Sequence, residues 1–412
     1  MTQQKARVAY LYVTIAYWVF MLTDGALRML ILLHFHTLGY SPLQLAYLFL
    51  VYEAAGAIAN LVAGWCAARF GFNFTFYTGL VLQIVSLLAL TQLNEFWDVS
   101  ISIIFVMLVQ GLSGIAKDFT KISAKSSVKI LISDSEKKLL KWVSFLTGSK
   151  NSIKGLGFFV GALLLSCFGF IVSLLFMATT LSLTLIIIFF YMPNNLPKGN
   201  KSKAISQVFS KNNAVNYLAS ARLFLFGARD VWFVVGVPIY LFSSVTSTVI
   251  GSDNIAFFIV GGFLSIWIIA YGVIQANTPR FLGLGKVNKI KIAEVLNIWL
   301  KRLIGISSLL AICFLAINDK SLSTSAALVI GLFAFGAIFA IISSLHSYLI
   351  LSFSEDNRVT LDVGFYYSAN ALGRLLGTFL SGLTYQHGGI AFCMLTTVLM
   401  LLISFLLTKK VT

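Results

Sequence analysis

Twelve of the charged side chains within the long apolar stretches of this sequence are candidate site residues, because each needs a partner or water there. Lys125, Lys301 and Arg302 are instead expected to snorkel to the headgroups. An ionisable side chain at the centre of a bilayer costs at least about 2.5–3.5 kcal/mol, so each such group indicates a function. The basic members are Arg28, Lys117, Lys121, Lys150, Lys154, Arg222, Arg229 and Arg374. The acidic members are Asp24, Glu53, Asp118 and Asp230. This excess of four positive charges predicts a cavity that binds a multiply charged oxyanion.

The chemistry of these cations suits phosphate-like groups, because arginine binds them at two points and lysine supplies a point charge. We predict that the anion contacts Lys150, Lys154, Arg229 and Arg374 first. The site is expected to extend toward the cytoplasmic opening through Arg28, Lys117, Lys121 and Arg222. The four acidic residues are expected to hold the cations in place, and one of them is a candidate proton carrier.

Local spacing suggests how some of these charges relate to one another. Asp24 and Arg28 are four residues apart, a spacing that allows a pair within one helix. Arg229 and Asp230 are adjacent, so we expect their side chains to point to different faces and not to neutralise each other. His346 lies within an apolar stretch and is a weaker candidate for the site.

The composition places these charges in a membrane protein. Hydrophobic residues make up 58% of the 412 residues and charged residues only 11%, and the net charge is +16. Soluble domains carry about a quarter charged residues, so a soluble enzyme, a disordered chain and a nucleic-acid-binding module are excluded. The four cysteines form no CxxC motif, and we predict neither a metal site nor a cofactor.

The apolar stretches divide into about twelve segments long enough to span a bilayer, which takes roughly 20 residues. The predicted spans are 10–35, 43–68, 74–93, 99–126, 139–168, 170–192, 217–242, 255–276, 296–317, 323–351, 359–385 and 390–407. Lysine and arginine are concentrated in alternate loops, which predicts cytoplasmic N- and C-termini. The fold class is therefore an all-α polytopic membrane protein.

The chain also divides into two similar halves. The longest polar stretch, 193–215, is predicted to be a cytoplasmic linker between six-helix bundles at 1–192 and 216–412. Ser149-x-Asn151 in the fifth span is repeated as Ser368-x-Asn370 in the eleventh. Two pseudo-symmetric bundles of this kind are typical of secondary transporters that work by alternating access.

The loop after the second span resembles the signature of the major facilitator superfamily, Gly-x-x-x-Asp-Arg-x-Gly. Here it is GWCAARFG at 64–71, with Ala68 in place of the acidic residue. The resemblance implies the major facilitator fold, in which the charged spans one, two, four, five, seven and eleven are among those that line the central cavity. The missing acidic residue argues against the family's usual charge-relay contact between the halves.

A closer resemblance, which covers nearly the whole chain, is to the organoarsenical efflux permeases of bacterial arsenic-resistance operons, and five segments between residues 23 and 233 carry it. They are TDGALRML at 23–30, LHFH at 33–36, GIAKD at 114–118, LTGSKN at 146–151 and FGARDVWF at 226–233. The resemblance implies a transporter that exports 1-arseno-3-phosphoglycerate and gives arsenate resistance. We expect this transporter to be a monomer in the cell inner (cytoplasmic) membrane. The resemblance also implies a functional link to a glyceraldehyde-3-phosphate dehydrogenase that makes this small anionic substrate from arsenate.

Other functions remain open at this stage. An organophosphate or phosphate exchanger would use the same cationic cavity, and the arseno-ester and its phosphate analogue present similar oxygens. A proton-coupled drug exporter would be expected to have an acidic cavity instead. A membrane-embedded enzyme would need a histidine and a carboxylate near one interface, and His346 has no such partner at a recognisable spacing. We therefore expect a transporter and not an enzyme.

Overall fold

A computed structural model of the chain consists of helices and short turns in the residues it describes. Those residues are 3–70, 72–94, 96–132, 136–191, 212–248, 253–282, 289–316, 322–353 and 359–411. The helices are α1 Gln3–Thr37, α2 Pro42–Phe70, α3 Phe72–Leu90, α4 Val99–Ile132, α5 Glu136–Tyr191, α6 Asn213–Phe233, α7 Gly236–Thr248, α8 Asp253–Phe281, α9 Lys289–Ala316, α10 Leu322–Phe353 and α11 Val359–Thr408. The predicted all-α class is confirmed.

Helix α5 contains two antiparallel spans joined at Gly169. A straight helix of its 56 residues would be about 84 Å long, far more than a bilayer core of about 30 Å. Gly169 has φ 73° and ψ −176°, which ends the first helical run. His34 near the end of α1 stacks on Phe170 at 4.0 Å, whereas Tyr12 near its start stacks on Tyr191 at 5.1 Å. The second run therefore returns along α1.

Helix α11 repeats this arrangement in the second half of the chain. Gly388 and Gly389 have non-helical backbone angles, with φ 59° at Gly389. Ser404, after the break, donates a hydrogen bond to the backbone oxygen of Ala221 at 2.8 Å. Gly373, before the break, also lies against the same part of α6, at Leu223. Both runs of α11 therefore pack along α6, as both runs of α5 pack along α1.

The predicted seventh span, 217–242, is not one continuous helix. It consists of α6 and α7, separated at Val234 and Val235. The hydroxyl oxygen of Ser381 accepts hydrogen bonds from the backbone N–H groups of Val235, at 3.1 Å, and Gly236, at 3.2 Å. These bonds satisfy donors that the broken helix leaves free, as a buried backbone requires.

Ten helical segments of the described residues are long and apolar enough to cross a membrane. Two of them, Ser149–Tyr191 and Gly364–Thr408, contain the glycine breaks and supply two spans each. This agrees with the prediction of about twelve spans, and an even number places both termini on the same side. The predicted linker 193–215 lies outside the described residues up to position 211, so the division into domains 1–192 and 216–412 stays a prediction.

Among the described residues, the most extensive contacts between the first half of the chain and the second are made by two pairs of helices. Helix α2 packs against α11, and α5 packs against α8. A Cβ built on Gly382 would lie 2.5 Å from that of Ala46, and one built on Gly261 would lie 2.8 Å from that of Ala162. Small residues thus allow the helices to approach closely without a hydrophobic driving force between them in lipid.

Candidate functional site

A cavity of about 270 Å³ lies between the two halves, with walls from α1, α2, α4, α5, α6, α8, α10 and α11. All eight cations selected from the sequence line it, together with three of the four carboxylates. The fourth, Asp24, is buried behind Lys154. The structure therefore brings the twelve predicted residues together, and their roles in binding stay predictions. Phe158, Phe226, Phe233 and Trp267 add apolar surface to the same walls.

The centre of the cavity contains a continuous chain of ion pairs. Glu53 accepts hydrogen bonds from Arg28 at 3.0 Å and from Arg374 at 2.6 Å. Arg374 also contacts Asp230 at 3.2 Å, and Asp230 pairs with Arg229 at 2.5 Å. The expectation that Arg229 and Asp230 do not neutralise each other is wrong, because the long guanidinium side chain reaches back to its neighbour's carboxylate.

Asp24 pairs across helices and not within its own. Lys154 donates a hydrogen bond to its Oδ2 at 2.5 Å, and the hydroxyl of Tyr52 donates to its Oδ1 at 2.5 Å. Arg28, the residue that sequence spacing suggested as its partner, instead contacts Glu53. The suggested pair of Asp24 and Arg28 is therefore wrong, and both residues connect α1 to neighbouring helices.

Helix α4 presents Lys117 and Lys121 to the cavity around one carboxylate. Lys121 pairs with Asp118 and also donates to the side-chain oxygen of Asn60 at 2.5 Å. Lys117 lies 4.0 Å from Asp118, and its ammonium sits 4.1 Å from the centre of the Tyr52 ring. Two cations thus share a single carboxylate, so this wall keeps a positive excess.

Arg222 on α6 is held by neutral groups. Its Nε donates to the side-chain oxygen of Asn370 at 3.0 Å, and its Nη1 donates to the backbone oxygen of Ser343 at 3.3 Å. The guanidinium carbon lies 3.8 Å from the centre of the Phe226 ring. Within the described residues, no carboxylate pairs with Arg222.

Lys150 and His346 occupy different positions relative to the cavity. Lys150 lines it. His346, the weaker candidate, is fully buried against Tyr366 and is not among the residues that line the cavity. Most neutral polar groups of the site carry no charge signal in the sequence; only the repeated Ser-x-Asn pattern pointed to two of them, Asn151 and Asn370. The other neutral polar residues that line the cavity are Tyr17, Asn60, Tyr271, Gln275, Ser347 and Tyr367.

The charges of the described lining do not balance. Eight basic side chains face three carboxylates there, and Asp24 behind the wall offsets one more cation. A single carboxylate can be shared by two cations; Glu53, for example, contacts both Arg28 and Arg374. The arrangement can therefore bind an anion of two or more charges, because its own groups supply too little negative charge.

The ends of the helices that the lysine and arginine distribution places outside are packed together. His36 contacts Phe242 edge-on at 5.0 Å, and Tyr47 stacks on Phe379 at 6.4 Å. Each of these contacts joins the first half of the chain to the second. Side chains of the two halves therefore meet at the predicted outer end of the helices.

The arrangement of the spans around the cavity is that of a known fold. Within the described residues, two sets of six spans surround a central cavity, with α2 against α11 and α5 against α8, and this is the arrangement of the major facilitator fold. No protein-family model matches the chain, and no curated protein matches it by sequence.

Solved transporters share this fold over almost the whole chain. The nucleoside transporter NupG is 16% identical and covers 98% of both chains, with a TM-score of 0.68. A POT family transporter in complex with 5-aminolevulinic acid is 13% identical, covers 98% of this chain and 97% of its own, and has a TM-score of 0.75. A POT family transporter with a thioalcohol-conjugated peptide gives 13%, the same coverage and 0.72. At these identities the likeness establishes the fold alone.

Proposed function

We propose that the protein is a secondary transporter that exports a small, multiply charged organic oxyanion by alternating access of its two halves. The excess of cations over carboxylates in the described lining of the cavity carries this proposal. Cations gathered in a low-dielectric cavity repel one another when it is empty and are stabilised when an anion enters. A lipophilic cargo would not need these groups.

The proposed cargo is 1-arseno-3-phosphoglycerate, and its export would give arsenate resistance. The resemblance of short segments, such as FGARDVWF at 226–233, to organoarsenical efflux permeases supports it, and so does the chemistry of the cavity. The ester carries a phosphate, an arsenate and a hydroxyl group, whose hard oxygens suit Lys150, Arg229 and Arg374. Arsenite would call for soft thiolate ligands, and no described residue that lines the cavity is a cysteine.

The setting of this activity is part of the same proposal. The protein would act as a monomer in the cell inner membrane, with bundles 1–192 and 216–412 joined by the cytoplasmic linker 193–215. Its substrate would come from a glyceraldehyde-3-phosphate dehydrogenase that uses arsenate in place of phosphate. The protein would neither catalyse a reaction nor bind nucleic acid, and it would need no cofactor or metal.

Growth of an arsenate-sensitive bacterium tests the proposal most directly. The dehydrogenase and this chain are expressed singly and together on arsenate medium. Protection only when both are present is the expected result, because the chain exports what the dehydrogenase makes. Protection by this chain alone would point to export of arsenate itself or of another cargo.

A matched pair of variants ties the phenotype to the cavity. Arg374→Gln removes a cation that contacts two carboxylates in the cavity and is expected to abolish protection. Arg302→Gln removes an exposed cation that packs on Trp299 outside the cavity and should leave protection intact. Both proteins must reach the membrane in equal amounts, which immunoblotting of membrane fractions measures.

An organophosphate or phosphate exchanger is the alternative that the same cations would serve. Proteoliposomes that contain the purified protein distinguish the two. Exchange of glycerate phosphates with no dependence on arsenate would select the exchanger, whereas transport that needs the dehydrogenase and arsenate together would select the arseno-ester.

A further inference from the structure

The cations of the cavity differ in how much of their charge a carboxylate already offsets. Arg28, Arg374 and Arg229 share Glu53 and Asp230 in the central chain of ion pairs. Three guanidinium groups and two carboxylates leave one positive charge spread over that chain. An anion that binds there must compete with carboxylates that are almost completely buried.

No carboxylate of the described residues pairs with Arg222, so an anion that binds this side chain displaces none. Its side chain is fixed by Asn370 and Ser343 and stacked on Phe226, and the residue is only 5% exposed. The third nitrogen, Nη2, makes no hydrogen bond to any described residue. A buried guanidinium with a free nitrogen and no carboxylate is a strong point of attraction for an oxyanion, since charge-assisted hydrogen bonds are about twice as strong as neutral ones.

Neutral donors and acceptors surround Arg222 on its half of the cavity. Tyr271 and Gln275 each donate a hydrogen bond to the hydroxyl oxygen of Ser343, at 3.2 and 3.3 Å. The backbone oxygen of the same serine accepts the bond from Arg222. One residue thus orients the arginine, a phenol and an amide that all line the cavity, which prepares them for the hydroxyl groups that accompany an oxyanion.

A second region of unbalanced charge lies on the opposite half. Lys117 and Lys121 of α4 share the single carboxylate of Asp118. Asn60 of α2 holds the ammonium group of Lys121 from the other side. Both lysines line the same cavity as Arg222, but they belong to α4, in the first half of the chain.

We infer that the cavity has two separate oxyanion subsites, one at Arg222 in the second half and one at Lys117 and Lys121 in the first. The inference rests on the proposed function and narrows its substrate class to small molecules that carry an oxyanion at each end. Arg222 takes one end without displacing a carboxylate, so a molecule with a single oxyanion binds there. The second oxyanion bridges to the lysines, so a bis-anion holds both halves at once.

Two stable probes of equal carbon skeleton test the inference. Propane-1,3-diol bisphosphate carries a phosphate at each end, and propyl phosphate carries one. Calorimetry on the purified full-length protein measures their dissociation constants. The intact protein is expected to bind the bisphosphate at least tenfold more tightly than the monophosphate. Equal affinities would overturn the inference.

Variants then separate the subsites. Arg222→Gln is expected to weaken the binding of both probes at least tenfold. Lys117→Gln combined with Lys121→Gln should weaken only the binding of the bisphosphate, to the affinity of the monophosphate. Asn370→Asp gives Arg222 its own carboxylate without removing it, and it should reproduce the loss seen in Arg222→Gln. Arg302→Gln, outside the cavity, is the charge-matched control, and thermal unfolding establishes that each protein is folded.

Different results would overturn the two proposals, which are the pair of oxyanion subsites and the exported cargo. Unchanged affinities in Arg222→Gln and Asn370→Asp, or an equal loss of both probes in the lysine variant, would overturn the subsites while export of the arseno-ester could still be measured. Conversely, the expected binding pattern without arsenate protection in cells would leave the subsites standing and overturn the proposed cargo.

Discussion

Arg374 joins the two halves of the protein through a single guanidinium group. Its Nη2 donates to Oε1 of Glu53 on α2 at 2.6 Å, and its Nε donates to Oδ2 of Asp230 on α6 at 3.2 Å. Helix α2 belongs to the first half of the chain, whereas α6 and α11 belong to the second. A movement that separates α2 from α11 must therefore break the contact with Glu53, and an anion that binds Arg374 competes with it.

The variant Glu53→Gln tests whether this contact couples binding to movement. The amide keeps the shape but removes the charge shared by Arg28 and Arg374. We expect the bisphosphate probe to bind about tenfold more tightly, because more cationic charge becomes available, and transport to slow, because release becomes harder. Calorimetry and vesicle transport measure the two effects on the same preparation.

Glu294→Gln is the matched control for that substitution. Glu294 is exposed on α9 and is not among the residues that line the cavity, so neither binding nor transport should change. A loss of both binding and transport in Glu53→Gln would contradict the competition and leave Glu53 as a structural partner of the arginines.

The sequence predicts the spans well where glycine or polar residues interrupt them. The boundary between the fifth and sixth spans falls at Gly169 and that between the last two at Gly388 and Gly389, close to the predicted ends. The break at Val234 and Val235 could not be predicted, since both residues are apolar and β-branched. Its stabilising group, the hydroxyl of Ser381, lies almost 150 residues away in the chain.

The sequence indicates which residues belong to the site more readily than it indicates which of them contact one another. A charge in an apolar run is visible in the sequence, because burial without a partner is costly. Which carboxylate meets which cation depends on the packing of different helices, as Asp24 with Lys154 and Arg28 with Glu53 illustrate. The prediction that the adjacent residues Arg229 and Asp230 do not neutralise each other is wrong because side-chain length outweighs the angle between neighbouring helix positions.

The pair of Lys154 and Asp24 predicts a stability effect. Lys154→Gln leaves Asp24, which is 2% exposed, with only the hydroxyl of Tyr52 as a hydrogen-bond partner. Removal of one partner from a buried pair costs about 3–5 kcal/mol, so the unfolding temperature of the purified protein should fall clearly. The double variant Asp24→Asn with Lys154→Gln should recover most of the loss. A double variant no more stable than Lys154→Gln would contradict the pairing.

The close packing of α1 on α5 predicts that replacing glycine by alanine affects stability differently at two positions. A Cβ at Gly161 would lie against the backbone of Ala26, so Gly161→Ala forces the helices apart and is expected to destabilise by about 1–3 kcal/mol. A Cβ at Gly305 on α9 would meet nothing within 4 Å. Gly305→Ala should therefore be neutral or stabilising by up to about 1 kcal/mol, since alanine favours helix. Thermal unfolding of the two purified variants compares them; equal effects would contradict the packing.

The driving force for export is predicted to be the membrane potential. One charge crossing 100 mV is worth about 2.3 kcal/mol, so two or three charges leaving a negative interior gain roughly 5–7 kcal/mol. That gain supports a gradient of about a thousandfold or more. In everted vesicles, collapse of the potential with the pH gradient intact should stop uptake of the substrate. Uptake that continues under this condition would identify proton antiport instead.

The approach of α5 to α8 predicts that a disulfide can stop the transport cycle. A Cβ on Gly272 lies 3.8 Å from that of Asn151, which is within the range of about 3.5–4.5 Å for a disulfide. Asn151→Cys with Gly272→Cys, in a chain whose four native cysteines are serines, should crosslink on oxidation and lose transport. A reductant should restore it, because alternating access requires these helices from different halves to move apart.

A crosslink within one half is the control for that experiment. The hydroxyl oxygens of Thr75 on α3 and Ser123 on α4 are 2.7 Å apart, and both helices belong to the first half of the chain. Oxidation of Thr75→Cys with Ser123→Cys should therefore leave transport unchanged, since each half moves as a unit. If this crosslink stops transport as well, or if the one between α5 and α8 does not, movement of the two halves about the cavity is the wrong description of the cycle.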